Sequence, residues 1–223
     1  MPECLAAERW LAAIWPVVRG RLPPPPARVV ELGCGPLGGF VARLRANGYD
    51  AVGVDPEAPA GDAFRQVEFE QAEQFRDLDA IVASTSLHHV ADPADVIDRL
   101  AASLAPGGRA VVVEWDWKRF DERTAAWCFA RLGDEPGWLQ RRRDEAAGRE
   151  WSDALREWVD RDGIHAADEL LRLLDERFRR EYLAFGPYFF ADLADTSPED
   201  ESAAIEAGEI RATRVDYAGT LSA

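Results

Sequence analysis

The stretch "VVELGCGPLGGF", residues 29–40, decides the fold. An apolar segment runs directly into a glycine-rich turn, and Gly33, Gly35 and Gly38 fit the pattern G-x-G-x-x-G. Glycines at such a strand-to-helix turn let the backbone approach a nucleotide closely. The pattern alone does not separate a dinucleotide from another ligand, because tight turns of this kind use glycine in any case. Gly38 and Gly39 are interpreted as spacing at the start of the helix.

Two acidic residues narrow the choice of ligand. Glu31 lies just before the glycines, and a carboxylate there is poorly placed beside a pyrophosphate. It suits a ligand with a positive group, such as an α-amino group or a sulfonium. Asp55 ends the next apolar segment, about 20 residues beyond the glycines, where an acid accepts hydrogen bonds from ribose hydroxyls. Asp55 predicts an adenosine-type ligand without separating NAD from S-adenosylmethionine.

Apolar segments and helical patterns alternate through the first half of the chain. We predict a helix of about ten residues ending at Asn47-Gly48, and another over 93–108 that begins on Pro93. Near-continuous apolar strands alternating with helices indicate a parallel sheet covered on both faces. The predicted strands are 28–32, 50–55, 66–71 (weaker than the others), 78–84 and 109–115.

The two ends of the chain have other patterns. Residues 5–19 have helical spacing, with Pro16 kinking or ending the helix, and a stiff proline linker follows. We expect one domain over 1–223, divided into an N-terminal helix and linker (1–27), a cofactor-binding half (28–115) and a substrate side (116–223). In the last part we predict irregular lid helices over 116–163, a helix over 166–178, and late strands over 179–190 and 209–221 around a helix over 197–208.

Charge and cysteine content exclude several classes of protein. A formal net charge of −15 repels phosphate backbones and anionic lipid, so we expect no nucleic-acid or membrane partner. No apolar run reaches transmembrane length, and the N-terminus lacks a signal-peptide core. The three cysteines form neither a disulfide framework nor a metal cluster, so we expect the cytoplasm and no metal.

Four motifs in order resemble the class I S-adenosylmethionine-dependent methyltransferases, most closely the small-molecule, type 11-like branch. They are "VVELGCGPLG", "VGVDP", "LDAIVASTSLHHVADP" and "LAPGGRAVVVE", between residue 28 and about residue 115. The resemblance implies a Rossmann-like, doubly wound α/β sheet of seven mostly parallel strands, with an antiparallel last strand and a helical lid. It also implies S-adenosylmethionine as cofactor, S-adenosylhomocysteine as product, and a monomer or homodimer.

The resemblance assigns residues to the two ends of this cofactor. Asp55 would bind the ribose and Pro56 would pack near the adenine. Gln71 and Ala72, with Glu73 beside them, stand where the family often has an acid and a small residue near the adenine amine. An amide there can still pair with an adenine edge. The methionine end would be held by Glu31, Gly33, Cys34, Gly35 and Ser84, with Cys34 interpreted as a small filler with a useful N–H rather than a reactive thiol.

Two further residues are candidates for catalysis. Holding the acceptor beside an activated methyl group supplies much of the rate, and a base is needed only when the acceptor must lose a proton. His88 follows the fourth predicted strand and Glu114 ends the fifth, so each is a candidate base at the mouth of the site. The alternatives are that His88 is a packing residue and that Glu114 orients the acceptor.

The chain contains eight tryptophans, which favour one of two interpretations. They either pack the core and lid, or they form an aromatic-walled pocket for a planar or cationic substrate. The segment "FGPYFF" (185–190) would add a further wall to such a pocket. The sequence therefore predicts methyl transfer to a small molecule through an N, O or C nucleophile, on an aromatic or amine scaffold. The alternatives are a protein methyltransferase of the same fold, an NAD-dependent oxidoreductase and a non-catalytic cofactor-binding protein.

Overall fold

A computed structural model of the protein describes residues 2–72, 75–134 and 137–222, so Glu73 lies outside the described residues. The described strands are β1 (Arg28–Leu32), β2 (Asp50–Val54), β3 (Phe64–Arg65), β4 (Leu78–Ser84), β5 (Leu104–Trp115), β6 (Phe178–Gly186) and β7 (Arg214–Leu221). The described α-helices are α1 (Pro2–Arg19), α2 (Val41–Ala46), α3 (Pro93–Ser103), α4 (Glu122–Phe129), α5 (Trp138–Glu145), α6 (Trp151–Asp162), α7 (Ala167–Arg177) and α8 (Pro198–Glu206).

The seven strands form one sheet in the order β3-β2-β1-β4-β5-β7-β6. Strands β1 to β5 pair in parallel, whereas β7 runs antiparallel to both β5 and β6. The predicted Rossmann-like sheet with an antiparallel last strand is confirmed. After β1 the chain forms β2 and β3 on one side of β1, and it then crosses over to form β4 on the other side of β1. Sheets of this type bind ligands at the carboxyl ends of the strands where the order reverses.

Alternating side chains of the parallel strands bury both faces of the sheet. In β1, Val30 and Leu32 pack into one hydrophobic cluster, which α3 and α7 cover, while Val29 packs into the other, which α1 and α2 cover. The same alternation holds in β4, where Ile81 belongs to the first cluster and Val82 to the second. Strands buried on both faces need apolar residues at nearly every position, which explains their sequence pattern.

The predicted third strand over 66–71 is wrong. Strand β3 covers only Phe64–Arg65, which pair with Gly53 and Val54 of β2. Residues Phe69–Gln71 form a 3-10 turn that buries Phe69, and the Gln66 side chain donates to the carbonyl of Ala58 at 2.6 Å. The aromatic residue in this segment, Phe69, is therefore buried as part of a turn and does not belong to a paired strand.

Several helix boundaries also differ from the sequence expectation. Gly38 and Gly39 take positive φ values of 76° and 52°, so α2 begins only at Val41 and is shorter than predicted. Pro16 does not end α1, which continues to Arg19. Helix α3 begins at Pro93 as predicted, with the Asp92 side chain capping it, but it ends at Ser103. The residues beyond it belong to an irregular start of β5.

Helices α4, α5 and α6 enclose a third hydrophobic cluster beyond the end of β5. Trp115, at 3% exposure, lies against Phe120 with ring centroids 6.0 Å apart, and Phe120 contacts Trp151 at 4.8 Å. Part of the tryptophan content is therefore explained by packing. Among the described helices, none is long and apolar enough to cross a membrane.

Candidate functional site

A cavity of about 580 Å³ opens at the carboxyl ends of β1 and β4, where the strand order reverses. Its floor is the glycine turn after β1 together with Ser84 and Thr85 at the end of β4. Its roof comes from α1, from the loop that follows β6, and from Trp138 at the start of α5. The main groups in the lining are Trp10, Glu31, Gly33, Cys34, Gly35, Gly39, Ser84, Thr85, Trp138, Tyr188 and Asp192.

Glu31 is a buried carboxyl group that lines this cavity, although only 1% of the residue is exposed. Its Oε2 accepts a hydrogen bond from the backbone N–H of Phe40 at 2.7 Å. Burial raises the pKa of Glu31 to about 8, with a smaller rise from Asp55, against the lowering effect of hydrogen bonds from Phe40 and Val41. A cation arriving beside this carboxyl would favour its ionised form and bind strongly to it.

The glycines of the turn serve different purposes. A Cβ on Gly39 would lie 2.2 Å from Oε1 of Glu31, and a Cβ on Gly33 would lie 2.2 Å from the Cβ of Ser86. Gly35 has a φ of 61° and nothing within 4 Å of its Cβ position. Gly39, which lies outside the three glycines of the pattern, is thus required by the close approach of Glu31. The interpretation of Gly39 as mere spacing is incomplete, because sequence does not show which side chain folds onto a turn.

Asp55 ties the end of β2 to the glycine turn. Its Oδ2 accepts from the N–H of Gly35 at 3.0 Å and its Oδ1 from the N–H of Glu57 at 2.7 Å. Of the residues assigned to the adenine side, Pro56 and Gln71 are exposed and Ala72 lines a separate groove. The structure brings Glu31, Gly33, Cys34, Gly35 and Ser84 together around the cavity, whereas Asp55, Pro56, Gln71 and Ala72 are not part of its described lining.

Cys34 lies in the turn with its thiol against the backbone of β2. A Cβ on Gly53 would lie 2.8 Å from the Cys34 Sγ. Burial raises the pKa of the Cys34 thiol to about 12, and the nearby Glu31 and Asp55 carboxyls add to the rise. Because the thiolate is the reactive form of cysteine, these surroundings support a packing role.

His88 and Glu114 form a buried pair next to the cavity, at 4% and 2% exposure. Glu114 accepts hydrogen bonds from the backbone N–H groups of Ser86 at 2.9 Å and Leu87 at 2.7 Å, and its other oxygen contacts Nδ1 of His88. Burial by itself raises the pKa of Glu114. The charge of His88, its hydrogen bond to Glu114 and the hydrogen bonds from the two backbone N–H groups outweigh burial, so the pKa of Glu114 lies below its usual range. Neither side chain is in the described lining of the cavity.

Two charged residues that the sequence reasoning missed hold the roof in place. The guanidinium of Arg9 in α1 donates to the carbonyls of Phe190 at 3.1 Å and Thr196 at 2.8 Å. Glu201 in α8 is fully buried and accepts from the N–H groups of Tyr188 at 2.8 Å and Phe190 at 2.7 Å. In sequence, Arg9 belongs to the polar face of a helix and Glu201 to an acidic first turn, so neither pattern indicates these contacts.

Comparison with known proteins identifies similar chains. Residues 6–154 match a family model described as a methyltransferase domain. A solved S-adenosylmethionine dependent methyltransferase from Mesorhizobium loti is 20% identical, with a TM-score of 0.58, and the match covers 93% of this chain and 97% of that one. The N-methyltransferase NodS from Bradyrhizobium japonicum, solved with S-adenosylhomocysteine, is 15% identical, with a TM-score of 0.55 and 97% coverage of each chain.

A third solved structure, the geranyl diphosphate C-methyltransferase from Streptomyces coelicolor in complex with Mg²⁺, geranyl-S-thiolodiphosphate and S-adenosylhomocysteine, is 16% identical, with a TM-score of 0.57. That match covers 95% of this chain and 76% of the other. No curated protein matches this chain. At these identities the likeness to solved structures shows the shared fold.

Proposed function

Because the chain belongs to the methyltransferase domain family and is a class I S-adenosylmethionine-dependent methyltransferase, we propose that it methylates a small molecule bound in the roofed cavity. The acceptor atom is a nitrogen, oxygen or carbon nucleophile. The observation that carries the proposal is a recess that α1 and the loop after β6 line together with the glycine turn, so that the methyl group would be presented inside it and not on an open face of the sheet. A cavity of about 580 Å³ suits a small acceptor better than a folded protein.

The residues of the floor fit S-adenosylmethionine. Glu31 offers a buried carboxylate to a positive amino group, and Gly35 leaves open space above its backbone. We propose that Glu31, Gly33, Cys34, Gly35 and Ser84 hold the methionine end, and that Asp55, Pro56, Gln71 and Ala72 hold the adenosine end. When bound, the cofactor supplies a methyl group that bonds to the acceptor's lone pair as the carbon–sulfur bond breaks, with sulfur keeping the electron pair.

The protein's own contribution is to hold the acceptor close to the methyl group. The aromatic residues Trp10, Trp138 and Tyr188 contribute large flat surfaces to the lining against which an acceptor can be positioned. Such positioning replaces a costly bimolecular encounter and supplies a large part of the rate. We propose that residues 28–115 bind the cofactor and that residues 116–223, with α1, form the acceptor side of one domain.

His88 is the proposed base for an acceptor that must lose a proton. Glu114 contacts Nδ1 of His88, so Nε2 is the ring nitrogen left to take that proton, and Glu114 acts as a positioning residue. Because both lie outside the described lining of the cavity, we expect positioning of the acceptor to dominate the rate. His88→Asn is therefore expected to lower kcat by a small factor without changing the affinity for S-adenosylhomocysteine.

The net charge of −15 supports a neutral or cationic small-molecule partner over nucleic acid or an anionic membrane surface. We propose that the protein acts in the cytoplasm as a monomer or homodimer. A protein substrate of the same chemistry is the second candidate. Release of S-adenosylhomocysteine from metabolite mixtures, but not from protein mixtures, would decide for the small molecule.

Calorimetry with S-adenosylmethionine, S-adenosylhomocysteine and NADH tests the cofactor. We expect both sulfur nucleosides to bind and NADH not to bind, and tight binding of NADH alone would contradict the proposal. Asp55→Ala should abolish cofactor binding, whereas Asp50→Ala, an exposed position at the other end of β2, should leave it intact. Unchanged affinity in Asp55→Ala would refute the assignment of Asp55 to the ribose.

A further inference from the structure

One wall of the cavity is built from three aromatic side chains. Trp10 from α1, Trp138 from α5 and Tyr188 from the loop after β6 all line it. The rings of Trp10 and Tyr188 meet edge to face, with centroids 6.4 Å apart and planes at 72°. Three separate parts of the chain thus contribute π systems to the cavity that the glycine turn also lines.

Neighbouring side chains hold two of these rings, those of Tyr188 and Trp138, in place. Trp115, which is 3% exposed, stacks on Tyr188 at 6.1 Å with planes at 21°, and contacts Trp138 at 6.1 Å. Glu201 fixes the backbone of Tyr188 through a hydrogen bond of 2.8 Å to its N–H. Because the rings are already held in place, a ligand that binds to them loses little affinity to ordering the protein.

Any charge that the described lining carries is negative. Among the described residues that line the cavity, Glu31 and Asp192 are acidic, and none is Arg, Lys or His. Arg9, on the same helix as Trp10, donates to backbone carbonyls of the loop after β6 instead. Burial, and next Asp192, raise the pKa of Tyr188, so its phenol stays neutral and keeps its hydroxyl hydrogen. An anionic acceptor would meet acidic side chains in this described lining and no basic side chain to pair with.

We propose that the methyl acceptor is an amine that binds as a cation against Trp10, Trp138 and Tyr188, with Asp192 supplying negative charge at the same wall. This inference rests on the proposed methyltransferase function and specifies its substrate class. A cation over an aromatic face is attracted by the ring quadrupole, and the acidic lining adds to that attraction. The same lining disfavours acceptors that carry a phosphate or carboxylate close to the reacting atom.

Methyl transfer to such a substrate requires the neutral form of the amine. The ammonium first loses one proton, to water or to His88, which exposes the nitrogen lone pair. The nitrogen then forms a bond to the methyl carbon while the carbon–sulfur bond breaks and sulfur keeps the bonding pair. The product is a methylated ammonium and a neutral thioether, so the positive charge moves from sulfur to nitrogen.

The test compares ligands that differ only in charge. Benzylamine, 2-phenylethylamine and tryptamine, each paired with the alcohol and the carboxylate of the same skeleton, are titrated into wild-type protein saturated with S-adenosylhomocysteine. Calorimetry gives the affinity of each, and turnover with S-adenosylmethionine is followed in parallel. We expect at least one amine to bind about tenfold or more tightly than both of its partners.

Two variants and two controls locate the site. Trp138→Leu and Asp192→Asn should each weaken amine binding severalfold, with the affinity for S-adenosylhomocysteine unchanged. Trp127 belongs to the same aromatic cluster but does not line the cavity, and Asp195 is an exposed carboxylate three residues after Asp192. The control variants Trp127→Leu and Asp195→Asn should therefore bind amines normally.

The outcomes separate this inference from the function on which it rests. Carboxylates or alcohols that bind as tightly as the amines overturn the inference, as does the absence of amine binding while S-adenosylhomocysteine binds. Loss of amine binding in both control variants would also overturn the proposed location. A protein that binds neither S-adenosylmethionine nor S-adenosylhomocysteine would instead overturn the proposed function itself.

Discussion

Replacing Glu31 with glutamine tests whether a buried carboxyl controls cofactor binding. Glu31→Gln keeps the size of the side chain and an oxygen that can accept the N–H of Phe40, but it removes the titratable proton. In the ligand-free protein the pKa of Glu31 is raised to about 8 by burial, so the carboxyl is mostly protonated at neutral pH. A cofactor that brings a positive amino group to Glu31 must first displace this proton.

The size of the effect follows from the pKa. With a pKa of about 8, the fraction of ionised Glu31 rises about 15-fold between about pH 6.5 and about pH 8, which corresponds to about 1.6 kcal/mol of binding free energy. Wild-type affinity for S-adenosylhomocysteine should rise by this factor over the same range. In Glu31→Gln the affinity should be weaker at the upper pH and nearly independent of pH.

Calorimetry over this pH range measures how the affinity for S-adenosylhomocysteine changes with pH. Repeating the titration in buffers of different ionisation enthalpy gives the number of protons released on binding. A matched ligand is methylthioadenosine, which lacks the amino-acid part and should show no slope with either protein. A slope of the same size in Glu31→Gln, or in wild-type protein with methylthioadenosine, would refute the role given to Glu31.

The same pKa predicts how stability depends on pH. The folded pKa of about 8 lies above the unfolded value of 4.5, so the folded protein binds more protons between these values. The contribution of Glu31 to stability is therefore complete below the unfolded pKa and is lost as the pH rises through 8. Between about pH 4.5 and about pH 8, the free energy of unfolding of the wild-type protein should fall by about 1.4 kcal/mol per pH unit relative to that of Glu31→Gln. Urea unfolding measures this difference.

Three further predictions concern the turn and the roof. Gly39→Ala forces a Cβ to within 2.2 Å of Glu31 and should lower the thermal midpoint more than Gly35→Ala, whose Cβ position is open; equal midpoints would contradict the close approach. Glu201→Ala leaves two buried N–H groups unpaired and should cost about 2–4 kcal/mol in urea unfolding, and a loss below about 0.5 kcal/mol would argue against the clamp. Arg9→Met should weaken acceptor binding and speed proteolysis of α1, while methylthioadenosine affinity stays constant; unchanged proteolysis would show that the contact to the loop after β6 is dispensable.

The first half of the chain was predictable because its signals are local. Strands β1 and β4 coincide with the predicted ranges, since a strand buried on both faces needs a continuous apolar run. The short edge strand β3 was misplaced because two paired residues leave too little pattern to find. Residues Glu31 and Asp55 could be singled out because their spacing from the glycines places them at the ends of adjacent parallel strands.

The sequence by itself determined the class of fold, the glycine turn and the acid before it, since each depends on residues close together in the chain. Only the tertiary structure decided which distant segments line the cavity. Arg9 and Phe190 are 181 residues apart, and no periodicity in either segment records that they meet. Only the fold, likewise, shows that Glu31 is buried, and burial raises its pKa far from that of a solvated glutamate. Spacing along a chain shows which face a side chain occupies, whereas the environment of that side chain depends on segments that arrive from elsewhere.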